Sequence, residues 1–167
     1  LETLDLGGGV GIIYDLKKDK IFKITDYAKI IEKYFSDLNL EIILEPGRFL
    51  VGSSGILISR VIRIKKGNKK DFLIIDAGMN NLLRPSLYNA NHEIFPVKIY
   101  GKKKKYEVVG PICETSDVFR KNYSLSEVKK NDIVVICSVG AYGSSMMSNY
   151  NLRGKAKEII IDGKKVL

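Results

Sequence analysis

The sequence predicts an α/β portion followed by a larger antiparallel β domain, and three observations carry that expectation. Residues 1–48 run strand, helix, strand, in the manner of parallel α/β units. The style changes at Gly52-Ser53-Ser54-Gly55. Beyond it come six short apolar runs, separated by Gly, Asn and Lys turns and nearly free of helical periodicity. That is the pattern of an antiparallel sheet or barrel. The border is placed at 52/53, giving 1–52 as the α/β part and 53–167 as the β domain.

The elements follow in order. Residues 1–6 alternate and then meet glycines, which predicts a strand ending in a loop. Thr25 is a suitable helix cap, and Ile30, Ile31, Tyr34, Phe35 and Leu38 fall on one helical face. Glu41 to Leu44 is a short strand stopped by Pro46-Gly47. The later strands are expected at Ile56–Ile64, Phe72–Ala77, Ile94–Tyr100, Tyr106–Val109, Ile133–Ser138 and Lys157–Ile161. Ser126-Glu127-Val128 reads as a single helical turn, and Asp162-Gly163 as a two-residue hairpin.

Composition bounds the function. Of 167 residues, 45% are apolar and 28% charged, as in a globular protein. No apolar stretch approaches the ~20 residues of a membrane span, and no signal-peptide pattern opens the chain. Both ends read as cut, so a fragment of a longer protein is expected. Two cysteines in unlike settings, Cys113 in a polar loop and Cys137 in an apolar run, point to a reducing, cytoplasmic setting. The net charge of +9 gathers in lysine clusters such as Lys102 to Lys105. They are expected at hairpin tips rather than in a nucleic-acid groove, because few aromatics interleave them.

Several motifs carry chemistry. Gly7-Gly8-Gly9 suits a backbone that turns sharply and aims N–H groups at an anion, or simply a tight turn. Glu45-Pro46-Gly47-Arg48 offers a carboxylate for a protonated ring nitrogen and a guanidinium for a phosphate or carboxylate. Arg84 and Tyr88, four residues apart, suit a carboxylate clamp, although Pro85 argues against a helical Arg84. In Cys113-Glu114-Thr115-Ser116-Asp117 the neighbouring acids favour a thiol that donates a proton over a thiolate nucleophile. Gly140-Ala141-Tyr142-Gly143 leaves the Tyr142 phenol exposed between small residues. With His92 the only histidine, no metal site is expected.

Taken in order, these motifs resemble the C-terminal portion of the diaminopimelate decarboxylases. These are pyridoxal-phosphate enzymes of the alanine-racemase-like fold. The telling stretches are Leu4-Asp5-Leu6-Gly7-Gly8-Gly9, Glu45-Pro46-Gly47-Arg48, Leu83-Arg84-Pro85-Ser86-Leu87-Tyr88, Gly110-Pro111-Ile112-Cys113-Glu114, and Gly140-Ala141-Tyr142 through Ser148-Asn149-Tyr150-Asn151.

The resemblance implies the last part of a (β/α)8 barrel followed by the β domain, in a homodimer with shared active sites. It implies pyridoxal 5'-phosphate, with Gly7, Gly8, Gly9, Gly47 and Arg48 near its phosphate, Glu45 on its ring nitrogen and Tyr142 touching it. It implies Arg48, Arg84 and Tyr88 on the substrate's distal carboxylate, Glu114 on its distal ammonium, and Tyr142 also at the substrate. Cys113 would reprotonate the carbanion, and Asp117 would help order the shared interface. The reaction implied is decarboxylation of meso-2,6-diaminopimelate to L-lysine.

The family's Schiff-base lysine has no counterpart here, so the isolated chain is expected to be inactive. The alternatives are a decarboxylase of another basic amino acid or of carboxynorspermidine, and a non-catalytic regulatory homologue. A basic nucleic-acid binder is a further one.

Overall fold

The computed structural model describes residues 1–166. Strands β1 (Thr3–Asp5) and β2 (Glu41–Ile43) pair in parallel, with Thr3 opposite Glu41. Helix α1 (Ile24–Phe35) makes the crossover that a parallel pair requires. Its N-cap is Lys23, with no side-chain capping bond, so the expected cap Thr25 lies inside the first turn. Within this chain α1 buries none of its residues. A short helix, α2 (Gly47–Val51), follows β2 and carries Arg48.

The rest is built on six strands: β3 (Leu57–Lys65), β4 (Asp71–Ile75), β5 (Ile94–Pro96), β6 (Tyr100–Val109), β7 (Val118–Glu127) and β8 (Ile133–Ile136). They form one sheet in the order β5-β8-β3-β4-β6-β7. Every pair is antiparallel except β4 and β6, which run parallel with Asp71 opposite Tyr106. The expected β domain is present, with this one parallel pair inside it. Residues 76–99 supply the long connection that the parallel pair demands, and α3 (Arg84–Tyr88) lies on it.

Burial alternates along β4 and β8, so one face of each looks into the core. Val61, Leu73, Ile75, Tyr106, Val108, Phe119, Val134 and Ile136 make the centre of that core. The sheet curls until its two edge strands meet through one side chain. The Tyr123 hydroxyl of β7 accepts the Ile94 N–H of β5 at 3.1 Å and lies 2.6 Å from Glu93 Oε2, to which it donates. This makes the domain a nearly closed barrel, a geometry that removes exposed sheet edges.

Several local expectations are corrected. Strand β7 was not foreseen: Arg120-Lys121-Asn122 interrupts its alternation, and Asn122 sits at φ 48° beside a register shift. Its end absorbs Ser126 and Glu127, which form strand rather than helix. Lys102 to Lys105 are not a hairpin tip. They lie in β6, paired to β7 with side chains outward.

Arg84 is helical. Pro85 enters the first turn of α3, where its missing N–H is one that no helix would use. Finally, residues 155–160 form no strand. Only β9 (Ile161–Asp162) and β10 (Lys165–Val166) pair, around a Gly163-Lys164 turn one residue later than the signal.

Candidate active site

The pairing of β1 and β2 continues beyond the strands. Leu6 N–H donates to Ile43 O at 3.0 Å, and Glu45 N–H donates to Gly7 O at 2.8 Å. Two loops distant in sequence, Gly7 to Gly9 and Glu45 to Arg48, are thereby held side by side at the strand ends. Gly7 and Gly9 have φ of 69° and 81°, the left-handed region that other residues enter only with strain. A side chain on Gly8 would put its Cβ 2.5 Å from the Glu45 carbonyl oxygen. The Asp5 carboxylate accepts the Gly7 N–H at 2.7 Å, and the loop's own glycines leave open space beside Gly7 and Gly9, room that fits a phosphate-bearing cofactor. Gly47 N–H bonds back to Glu45 O at 2.8 Å and turns the chain into α2, which carries Arg48.

A second contact fastens the β domain to α2. Gly140 N–H donates to Gly52 O at 3.0 Å, and a Cβ on Gly140 would lie 2.0 Å from Val51 O. The next loop residue but one is Tyr142, half exposed and at φ 62°. A tyrosine in that region is strained, and the clamped glycines on either side hold it there.

Arg84 is nearly buried, with 7% exposure. Its Nη1 lies 3.3 Å from His92 Nε2, and its guanidinium stacks 4.7 Å from the centroid of the Tyr14 ring. His92 Nδ1 in turn lies 2.8 Å from the Cys137 carbonyl oxygen. Tyr88, at the far end of α3, is exposed. Burial first, with the nearby Arg84 and Arg120 charges, pulls the His92 pKa down to about 4.

The segment carrying Tyr14 is also held by a buried ion pair, Arg120 Nη2 to Asp15 Oδ2 at 3.3 Å. Arg120 Nη1 donates to His92 O at 3.1 Å as well. Burial pushes the Asp15 carboxyl up, but the Lys17 N–H and the Arg120 charge outweigh it, so its pKa lies below the ordinary value.

The loop with Cys113 and Glu114 is fixed by Asp117. This carboxylate is buried and accepts N–H groups from Ile112 and Met79, each at 2.7 Å. Burial, its largest influence, raises its pKa despite those bonds. Asp117 thus fixes this loop from within the chain. Cys113 and Glu114 are exposed. The Tyr150 hydroxyl donates to Glu114 Oε1, and that bond raises the phenol's pKa. Ser86 of α3 donates to Ser116 O at 2.7 Å, tying the helix of Arg84 to the loop of Glu114.

His92, Tyr14, Tyr150 and Ser86 are the participants that sequence reasoning missed. A lone histidine in the sequence speaks only against a metal site. The partners of His92 lie 8 and 45 residues away, which no local spacing reveals. Among the described residues, no group of three or more His, Cys, Asp or Glu is placed to hold a metal ion. No helix among them is long and apolar enough to cross a membrane.

Two loops at parallel strand ends and a polar cluster on a curled sheet have close counterparts. Diaminopimelate decarboxylase from Zymomonas mobilis is 42% identical over 165 residues, covering 99% of this chain and 39% of that protein. The Neisseria meningitidis serogroup B protein of the same name is 44% identical over 166 residues, again covering 99% and 39%. The chain thus spans about two fifths of the length of these relatives.

Among solved structures, diaminopimelate decarboxylase from Helicobacter pylori complexed with L-lysine superposes with a TM-score of 0.90 at 44% identity. That match covers 99% of this chain and 41% of that one. The lysine/ornithine decarboxylase of Vibrio vulnificus complexed with cadaverine shares the fold, with a TM-score of 0.82 at 23% identity over 93% of this chain and 42% of that one. Residues 12–140 match the family described as pyridoxal-dependent decarboxylase, C-terminal sheet domain. That span takes in the curled sheet and the Tyr14–Asp15 segment docked on it, and on this evidence the chain belongs to the pyridoxal-dependent decarboxylase family.

Proposed function

We propose that the full-length protein carrying this chain decarboxylates meso-2,6-diaminopimelate to L-lysine with pyridoxal 5'-phosphate. It would do so as a cytoplasmic homodimer with shared active sites. Residues 1–52 would be the last part of a (β/α)8 barrel and 53–167 the β domain. The observation that carries the reading is the meeting of the bare Gly7–Gly9 loop with Glu45 and Arg48 at the ends of two parallel strands. Identity of 42–44% to proteins named diaminopimelate decarboxylase supports the choice of substrate.

When bound, pyridoxal 5'-phosphate supplies the electron sink that makes loss of carbon dioxide feasible. In this reading Gly7, Gly8, Gly9, Gly47 and Arg48 would lie near the phosphate, and Glu45 would hold a proton on the ring nitrogen. Tyr142 packs against the ring from the β domain. Arg48, Arg84 and Tyr88 bind the distal carboxylate of the substrate, and Glu114 binds its distal ammonium. A cation and an anion together select a substrate with an amino-acid centre at each end. Arg84 repels one that ends in a bare ammonium. Cys113 donates its thiol proton to the carbon that has lost carbon dioxide, and Asp117 fixes the loop that carries it.

The test is lysine formation from meso-diaminopimelate by the full-length protein. Cys113→Ala is expected to lower kcat by ~100-fold or more, with KM little changed. Ornithine turned over as fast as diaminopimelate would sink the substrate assignment. An unchanged kcat in Cys113→Ala would remove the thiol from its role.

A further inference from the structure

We infer that His92 is a positioning residue for substrate recognition, a neutral imidazole that orients the Arg84 guanidinium toward the substrate's distal carboxylate. The inference rests on the proposed role of Arg84 and adds the group that aims it.

The hydrogen-bonding roles of its two partners fix the tautomer of His92. A backbone carbonyl only accepts, so the 2.8 Å contact to Cys137 O requires a proton on His92 Nδ1. A guanidinium only donates, so the 3.3 Å contact from Arg84 Nη1 requires a lone pair on Nε2. One tautomer meets both demands, and it is uncharged. A protonated ring would present a second N–H to a cation. His92 is 1% exposed, so water cannot take the place of either partner.

The same ring meets Tyr14 edge-on, with centroids 4.9 Å apart at 74°. Tyr14 in turn underlies the guanidinium of Arg84. Arg84 is therefore held on one edge by an acceptor and on one face by an aromatic ring. These two supports come from different parts of the chain. His92 is registered on the carbonyl just past β8, and Tyr14 sits seven residues or fewer from the Gly7–Gly9 loop. A free arginine side chain samples many rotamers, whereas these two contacts restrict the Arg84 guanidinium to one orientation. A group whose only task was to fill core space would need no acceptor at Nε2.

Arg84→Lys, His92→Asn, His92→Gln and the double variant Arg84→Lys/His92→Asn of the full-length protein test this, assayed with meso-diaminopimelate. Asn keeps a donor near the Nδ1 position but does not reach Arg84. Gln places an oxygen near the Nε2 position. His92→Asn is expected to raise KM about tenfold with little change in kcat, the loss of one hydrogen bond to a charged group. His92→Gln should recover most of that loss. His92→Asn should add nothing on top of Arg84→Lys, because its effect passes through Arg84.

Should the His92 variants not fold, Tyr14→Leu removes the other support and should give the same rise in KM without a fall in kcat. An unchanged KM in Arg84→Lys would overturn the role of Arg84 and this inference with it. A raised KM in Arg84→Lys, with wild-type KM in His92→Asn or full additivity in the double variant, would overturn only the positioning role.

Discussion

The two parts of the molecule hold their chemical groups by different means. In residues 1–52 the strands are three residues long, and α1 buries nothing within the chain. The candidate residues there are set mainly by backbone, through glycines at positive φ and two main-chain bonds between neighbouring loops, with the Asp5 carboxylate on the Gly7 N–H as a local side-chain support. In the β domain, Arg84 and Asp117 are buried and held by side-chain bonds that cross long stretches of sequence. The first kind of site depends on what the backbone can adopt. The second depends on every partner being present, since a buried group that loses its partner bears the full cost of desolvation.

That contrast orders the expected effects. The largest belongs to the buried network. Arg120→Ala removes the partner of Asp15, the donor to His92 O and the cation 4.4 Å above the Tyr123 ring. It should cost about 4 kcal/mol, the scale for breaking a buried ion pair from one side, measured by chemical denaturation of the full-length protein. The sign with pH follows from Asp15. Its pKa is lowered on folding, so its contribution is present above the ordinary value of 3.8 and is lost as pH falls through the folded value. Arg120→Ala should shrink that acid-sensitive part, and an unchanged acid limb would deny the coupling.

The same substitution at two glycines sharpens the comparison. Gly140→Ala drives a Cβ to 2.0 Å from the Val51 carbonyl oxygen, and backbone cannot yield as a side chain can. A loss of about 3 kcal/mol is expected, with Tyr142 displaced from its loop. Gly7→Ala meets no atom and loses only the ease of a positive φ, so about 1 kcal/mol is expected. Equal melting temperatures for the two variants would erase the distinction between crowding and conformation. The smallest effect is at the surface. Lys104 and Glu127 pair across β6 and β7 with both side chains largely exposed. Lys104→Ala should leave the melting temperature unchanged.

Sequence conveyed the parts that local rules govern. The strand–helix–strand opening, the glycine loops and the change of style near Gly52 are punctuation that Gly, Pro and apolar spacing write directly. Strand β7 stayed hidden because its charged middle, Arg120-Lys121-Asn122, lies at an irregularity where the alternation fails. The helix at Arg84 stayed hidden because Pro85 reads as a breaker unless its position in the first turn is known. The candidate residues were legible as motifs, yet their supports were not. Asp117 is five residues from Ile112 and 38 from Met79, the two N–H groups it accepts. His92 joins positions 84 and 137. Such closures belong to the sheet, which sequence spacing does not encode.

The parallel pairing of β4 with β6 has a consequence for how the domain comes into being. An antiparallel neighbour can zip up from a tight turn, but these two strands cannot, because the chain must first travel back along the length of the sheet. The residues that make this return journey, 76–99, include Asn80, Arg84 and His92. Closing so long a loop is entropically slow, and non-local contacts of this kind set the pace of folding. Arg84 and His92 both lie inside that connection, eight residues apart, whereas the bond from His92 to Cys137 also needs β8 in place.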